Sequence, residues 1–183
     1  MSVDHSTPDH STTFGPFLVR SWQPGDRPAA LAIIRQVLQE YSLCCEPEGS
    51  DRDVLEVETC YWQTGGEFWV VERDGTLVGT AGYYPIDRGD KAVEIRKMYL
   101  LPEARGQGLG RYLLNTLEAA IQRRGFAEIW IETASVLKEA VGLYEASGYA
   151  PASGVETARC DRVYCKSLSS AASLSAGAQD TDQ

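Results

Sequence analysis

The sequence predicts one α/β domain of the α+β kind, a mixed sheet with helices packed against it, and three observations predict it. The 183 residues, 43% hydrophobic and 23% charged, suffice for one well-buried core and hardly for two. The apolar period changes along the chain between helical recurrence and strand-like runs. Read in order, the segments give β-α-α-β-β-β-α-β-α-β-β.

Phe17 to Trp22 reads as the first strand, and Pro24-Gly25-Asp26 opens a helix from Ala29 to Tyr41 with Leu31, Ile34, Val37 and Leu38 on one face. Pro47 and Gly49 mark a loop, and Val54, Leu55, Val57 and Tyr61 suggest a short second helix before Gly65-Gly66. Phe68 to Arg73 and Thr76 to Tyr84 flank Asp74-Gly75, the turn of a tight hairpin. Ala92 to Leu101 is a further strand, stopped by Pro102. A helix follows from about Gly108 to Arg124, with Leu109, Leu113, Leu117 and Ile121 recurring every four residues and Gly125 closing it. Ala127 to Thr133 is a short apolar strand, Leu137 to Ser147 an amphipathic helix ended by Gly148, and Val163 to Lys166 a last strand. Residues 1–13 and 169–183 are polar or small and read as disordered tails, leaving 14–168 as the folded domain.

A formal net charge of -9 is the wrong sign for a protein that neutralises nucleic-acid phosphates, so nucleic acid is excluded as a partner. The polar start has no apolar core behind basic residues, which predicts neither a secretory signal nor a membrane partner and a cytoplasmic protein. The five cysteines lack C-x-x-C spacing and read as reduced thiols, and nothing in their positions brings one to a catalytic centre. His5 and His10, the two histidines, both fall in the N-terminal tail, which argues against a His-based triad and against a metal centre.

The chemistry concentrates in Arg105-Gly106-Gln107-Gly108-Leu109-Gly110-Arg111, between a strand and a helix. Three alternate glycines let the backbone turn and approach a ligand, and the first amides of the helix together with its dipole favour an anion such as phosphate. Arg105 and Arg111 add positive charge. A dinucleotide G-x-G-x-x-G would need Gly where Arg111 stands, and no P-loop G-x-x-x-x-G-K-[ST] aligns.

Val93 to Gly110 with this loop, and Leu143-Tyr144-Glu145-Ala146-Ser147-Gly148-Tyr149 after it, resemble the GNAT N-acetyltransferase superfamily. That family's loop reads Q/R-x-x-G-x-G/A, matched by Arg105, Gly108 and Gly110, and its later helix ends Leu-Tyr-x-x-x-Gly-Phe/Tyr, matched by Leu143, Tyr144, Gly148 and Tyr149. The resemblance covers about Phe17 to Lys166. It implies a mostly antiparallel central sheet with helices on both faces, acetyl-CoA as acetyl donor with no metal, and transfer to a primary amine of a small molecule or peptide. It further implies that the loop 105–111 holds the pyrophosphate and that the backbone of Met98, Tyr99 and Leu100 bonds the pantetheine arm. Dimerisation is common in the family, so a homodimer is one expectation. The sequence departs from the pattern at Leu137, where members often carry a cofactor-contacting Asn; Ser135 and Thr133 are the substitutes at hand.

Acetyl transfer to an ammonium group needs a proton acceptor, and its departing thiolate, with a conjugate acid near about 8.5, needs a donor. By the resemblance Glu94 is the base, with Glu132 one strand away as second choice and water alone as a third, and Tyr144 is the acid. The alternatives are a strand carboxylate paired with Arg96, Lys97 or solvent for Glu94, and a core aromatic for Tyr144. With no cysteine implicated, direct attack in a ternary complex is expected over an acetyl-enzyme.

Seven acids between Glu40 and Glu58 against Arg52 suggest a cationic acceptor or, equally, a solvated face. Of Tyr61, Trp62, Trp69, Tyr83 and Tyr84, strand alternation sends one of the last two to each face. A non-catalytic acyl-CoA-binding module is the alternative to the enzyme; retention of both Glu94 and Tyr144 favours the enzyme.

Overall fold

The computed structural model describes residues 9–168. Eight strands form one sheet in the order β1-β2-β3-β4-β5-β6-β8-β7: Ser11–Phe14, Phe17–Ser21, Glu67–Arg73, Thr76–Ile86, Ala92–Leu100, Glu128–Thr133, Ala150–Ala152 and Arg162–Ser167 in chain order. Every neighbouring pair is antiparallel except β5 and β6. Helices α1 (Arg27–Glu40), α2 (Arg52–Leu55), α3 (Leu109–Arg123) and α4 (Lys138–Ala146) cover it.

Strand β3 shows why helices are needed on both faces. Phe68 and Val70 point one way, into a cluster with Trp22, Val57 and Tyr61, while Trp69 and Val71 point the other way, against the α3 leucines. A strand buried on both sides reads as a continuous apolar run, as Phe68 to Val71 does. Leu109, Leu113, Leu114, Leu117 and Ile121 are buried along one stripe of α3, each worth about 1.5–3 kcal/mol of burial. Ala30, Ile34 and Leu38 of α1 pack with Val54 on the opposite face.

Part of the segment expected as an N-terminal tail is ordered. Residues 11–14, expected to be largely disordered, form β1, with Phe14 opposite Phe17 across a tight turn. His10 also leaves the tail: its ring stacks on Trp69 at 3.8 Å, 7° from parallel. Thr12 Oγ1 shares a 2.6 Å hydrogen bond with the Tyr112 hydroxyl, and Phe14 stacks on Tyr112. These long-range contacts fix a four-residue strand whose Ser-Thr-Thr composition gives no alternation to read. The rest of the expected tails, 1–8 and 169–183, lies outside the described residues. The expected second helix is split, α2 being followed by a π-helical turn at Glu58–Trp62.

Candidate active site

The parallel pair opens the site. β5 and β6 are bonded only from Ala92 and Glu128 to Glu94 and Trp130. Beyond that point β5 stays with β4 and β6 with β8, so the two strands part and leave facing edges unpaired. A β-bulge assists the parting: Thr80 lies opposite Tyr99 and Gly82 opposite Arg96, so Lys97 and Met98 together face Ala81. Lys97 takes the left-handed φ of 54°, and its carbonyl accepts from Thr80 Oγ1 at 2.7 Å.

Two cavities meet at the fork. One, about 390 Å³, runs along the opened edge of β5 between the start of α3 and α4. The other, about 590 Å³, lies on the far side of Glu94 against Tyr84, Arg88 and Trp130. Glu94, Arg96, Glu132 and Thr157 line both.

At the end of the first cavity, Gly106 and Gly108 hold φ of 73° and 81°, where an L side chain is strained by about 1–2 kcal/mol. Gly108 is the N-cap of α3, and Tyr112 is the first α3 residue whose amide bonds back, to the Gly108 carbonyl at 3.0 Å. The preceding amides of Leu109, Gly110 and Arg111 have no carbonyl partner among the described residues. They suit an anion at the positive end of the helix dipole. Arg105 lines the first cavity, its Nε donating to the Leu100 carbonyl at 2.8 Å and its Nη1 paired with Glu40 at 2.8 Å. Exposed Arg111 is the cation that stays with the loop.

Along β5 the Leu101 amide donates to Val78 O at 2.8 Å. Because strand polar groups alternate in direction, the amides of Leu100 and Met98 point into the cleft and that of Tyr99 points to β4. Tyr99 packs its ring against Ile33 and Val37 of α1, and its hydroxyl reaches Arg159 beside the first cavity.

Residues 34–149 match the Acetyltransferase (GNAT) family. The chain belongs to the GNAT acetyltransferase family. YjgM of Escherichia coli K12, named an uncharacterized N-acetyltransferase, is 37% identical over 127 residues, which are 68% of this chain and 76% of that protein. N-acetyltransferase 8B of Homo sapiens is 30% identical over 101 residues, 53% of this chain and 44% of that protein, so the match spans less than half of that relative. The fold is that of a GNAT acetyltransferase from Staphylococcus aureus Mu50, with a TM-score of 0.77 at 18% identity, covering 84% of this chain and 99% of that one. It is also that of Salmonella typhimurium YncA, solved with its cofactor acetyl-CoA, with a TM-score of 0.66 at 20% identity over 90% and 99% of the two chains. The protein is an acetyl-CoA-dependent N-acetyltransferase.

In the acetyltransferase, Glu94 sits at the fork with a side chain 14% exposed. Burial raises its pKa above the ordinary carboxylate value, opposed first by Arg96, whose Nη1 is 3.6 Å from Oε2. Glu132 has a different environment. Burial would raise its pKa, but the amides of Glu156 and Thr157 donate to it at 2.9 and 2.8 Å and Arg88 lies at 3.3 Å, so the net shift is downward. Its lone pairs are spent pinning the segment before β8.

Tyr144 lies on α4 facing the first cavity, and burial drives its phenol pKa well up. Gly148, at φ 85°, closes α4: its amide bonds Glu145 O at 3.2 Å and the Tyr149 amide bonds Tyr144 O at 3.1 Å. That cap fixes the backbone carrying Tyr144, the physical content of the Leu-Tyr-x-x-x-Gly-Tyr pattern. Leu137 is the N-cap of α4 and lines the cavity without a side-chain capping bond. Ser135 is not its substitute, since its hydroxyl and amide are both bonded to Asp161 at 2.7 Å; Thr133 lines the cavity.

Sequence reasoning missed a buried ionic cluster beside the fork. Asp51, fully buried, takes Arg159 Nη2 at 2.6 Å and Lys97 Nζ at 2.9 Å, and Asp53 takes Lys97 Nζ at 3.2 Å and Arg96 Nε at 3.3 Å. The acidic segment is thus largely neutralised: Glu40 pairs with Arg105, Glu56 with Arg52 and Glu58 with Arg27. A run of acids in sequence gives no sign of cations arriving from β5 and from residue 159.

Cys160 was also missed. It lines the first cavity, contrary to the expectation that no cysteine is near the reacting centre. Burial pushes its thiol up to about 11, which keeps it protonated and a poor nucleophile at neutral pH. Of the aromatics, Tyr84 faces the second cavity, whereas Tyr61, Trp69 and Tyr83 are core residues. Among the described residues no three His, Cys, Asp or Glu side chains converge as metal ligands, and no helix is long and apolar enough to cross a membrane.

Proposed function

We propose that Glu94 takes the proton from an acceptor amine entering through the second cavity, while Tyr144 protonates the sulfur departing along the first. Acetyl-CoA supplies the acetyl group as an activated thioester, and the chain fits it: unpaired amides from Leu109 to Arg111 for the pyrophosphate, and the amides of Met98 and Leu100 for the arm. The ammonium first gives one proton to Glu94, which passes it to solvent. The neutral amine then attacks, the N–C bond forms as the C–S bond breaks, Tyr144 protonates the departing sulfur, and the second proton lost by the nitrogen restores the Tyr144 phenol through solvent.

The observation that carries this reading is the position of Glu94, the carboxylate that both cavities share and that burial makes more basic. Glu132 shares the position, but its oxygens are engaged by two amides and Arg88. A dry environment raises the Tyr144 phenol and would raise the thiol beside it as well, keeping donor and acceptor comparable. A protonated Cys160 supports direct attack over an acetyl-enzyme.

The acceptor in this reading is a cationic amine. Glu46, Asp87 and Glu156 come from three separate segments to the second cavity, and none has a cationic partner among the described residues. Its two arginines, Arg88 and Arg96, are occupied, which leaves no free cation there to recognise a substrate carboxylate.

The test is an amine panel with thiol detection, run on wild type, Glu94→Gln and Tyr144→Phe alongside calorimetry with acetyl-CoA. Turnover of polyamines above amino acids, lost by a factor of about 100 or more in Glu94→Gln while acetyl-CoA binding persists, is the expected result. Full activity in Glu94→Gln overturns the assignment of the base.

A further inference from the structure

We propose that Arg96 is a positioning residue for the transfer, holding the Glu94 carboxylate ionised and in place while its own donors are committed to Tyr84, Ser50 and Asp53. The proposal rests on Glu94 as the base.

Glu94 and Arg96 are two residues apart on β5, just before the bulge, and so lie on one face. The guanidinium cannot swing away, because other elements hold it from several sides. Nη1 donates to the Tyr84 hydroxyl on β4 at 2.7 Å, Nη2 donates to the Ser50 carbonyl at 3.0 Å, and Nε meets Asp53 of α2 at 3.3 Å. Its carbon also lies 5.4 Å from the Tyr84 ring centre, over the ring. A planar fork with five donors can satisfy all these partners and still present a charge to Glu94; a lysine cannot.

Other groups around Glu94 do not take over this task. Glu132 on β6 and Asp53 on α2 repel it, while Lys97 attracts it but is committed to Asp51 and Asp53. Tyr84 stays neutral, its phenol pushed up to about 12, and Cys160, from the segment between β7 and β8, is a protonated thiol. Burial works against the charged carboxylate, and Arg96 is the largest influence in the other direction. Contacts to Ser50 and Asp53 also tie the strand bearing the base to α2 and the segment just before it.

The test is the pH profile of kcat/KM for wild type, Arg96→Gln, Arg96→Lys and Asp53→Asn, with Glu94 titrated directly by carboxyl carbon-13 NMR. Removing a cation beside a carboxylate raises its pKa, so in Arg96→Gln the acid limb and the Glu94 resonance should both move up by about one to three units. Arg96→Lys should move them up by less. Asp53→Asn removes a repelling charge and should move them slightly down. A merely structural Arg96 would lower kcat with the limb and resonance unmoved, and that result overturns the proposal. Should Arg96→Gln fail to fold, Arg96→Lys decides, since an unchanged Glu94 titration there is equally fatal. The base assignment fails separately: if Glu94→Gln keeps wild-type activity and acid limb, the limb belongs to another group, and the NMR titration still reads the effect of Arg96.

Discussion

Replacing Asp51 with Asn tests the ionic cluster that walls the fork. The carboxylate is fully buried and accepts four donors: Arg159 Nη1 at 2.7 Å and Nη2 at 2.6 Å, Lys97 Nζ at 2.9 Å and the Glu46 amide at 2.8 Å. Asparagine keeps the shape but removes the charge, leaving Arg159, its side chain 12% exposed, without that carboxylate and Lys97, its side chain 2% exposed, with the Asp53 carboxylate that it shares with Arg96. Breaking a buried pair from one side costs about 3–5 kcal/mol. At about 2–4 °C per kcal/mol for a domain of this size, Tm should fall by about 6–20 °C. Calorimetry and urea melts at pH 7 measure it, and adding Lys97→Met to Asp51→Asn should recover part of the loss through a coupling of about 0.5–3 kcal/mol. A single-variant loss under about 1 kcal/mol would refute the reasoning, since it would mean that water or rearrangement solvates Lys97 and Arg159. The pH dependence has a fixed sign. Burial opposes the Asp51 charge, but Arg159 and Lys97 prevail and hold its pKa far below the usual carboxylate range. Its stabilisation is thus present above the unfolded carboxylate value near about 3.9 and lost as pH falls toward the folded value.

Gly108→Ala should cost about 1–2 kcal/mol through its left-handed φ, and Gly108→Glu should additionally abolish acetyl-CoA binding in calorimetry by placing an anion in the cradle. Tyr144→Phe should lower kcat with little change in acetyl-CoA affinity, whereas a Kd change alone would show that the phenol serves binding. Leu117→Ala removes a fully buried α3 side chain and should cost about 2–5 kcal/mol by urea denaturation. His10, half-buried against Trp69, has a lowered pKa caused first by its partial burial. Its contribution is present above the unfolded value of about 6.5 and lost as pH falls through the folded one, so amide exchange in β1 should accelerate between pH 7 and 5. Unchanged exchange would mean that Phe14 and Thr12 dock the strand without it.

The sequence by itself determined the helices with a wide apolar stripe, the hairpin around Asp74-Gly75 and the glycine loop. These rest on local periodicity and on backbone conformations that glycine permits, such as the left-handed turns at Gly106, Gly108 and Gly148. The places of Glu94 on a strand and of Tyr144 before a helix cap were legible through motif spacing, and their roles are the proposal made above. Only the tertiary structure decided the rest, because its partners are distant in sequence. β1 exists through contacts of His10, Thr12 and Phe14 with Trp69 and Tyr112. The pairing of Arg105 with Glu40 and with the Leu100 carbonyl has no sign in the sequence. Asp51 and Asp53 look like a solvated acidic face until Lys97, Arg96 and Arg159 converge on them. Periodicity reports which face of an element is apolar, but a buried charge is stabilised by whatever the fold sets against it, and that pairing leaves no local trace.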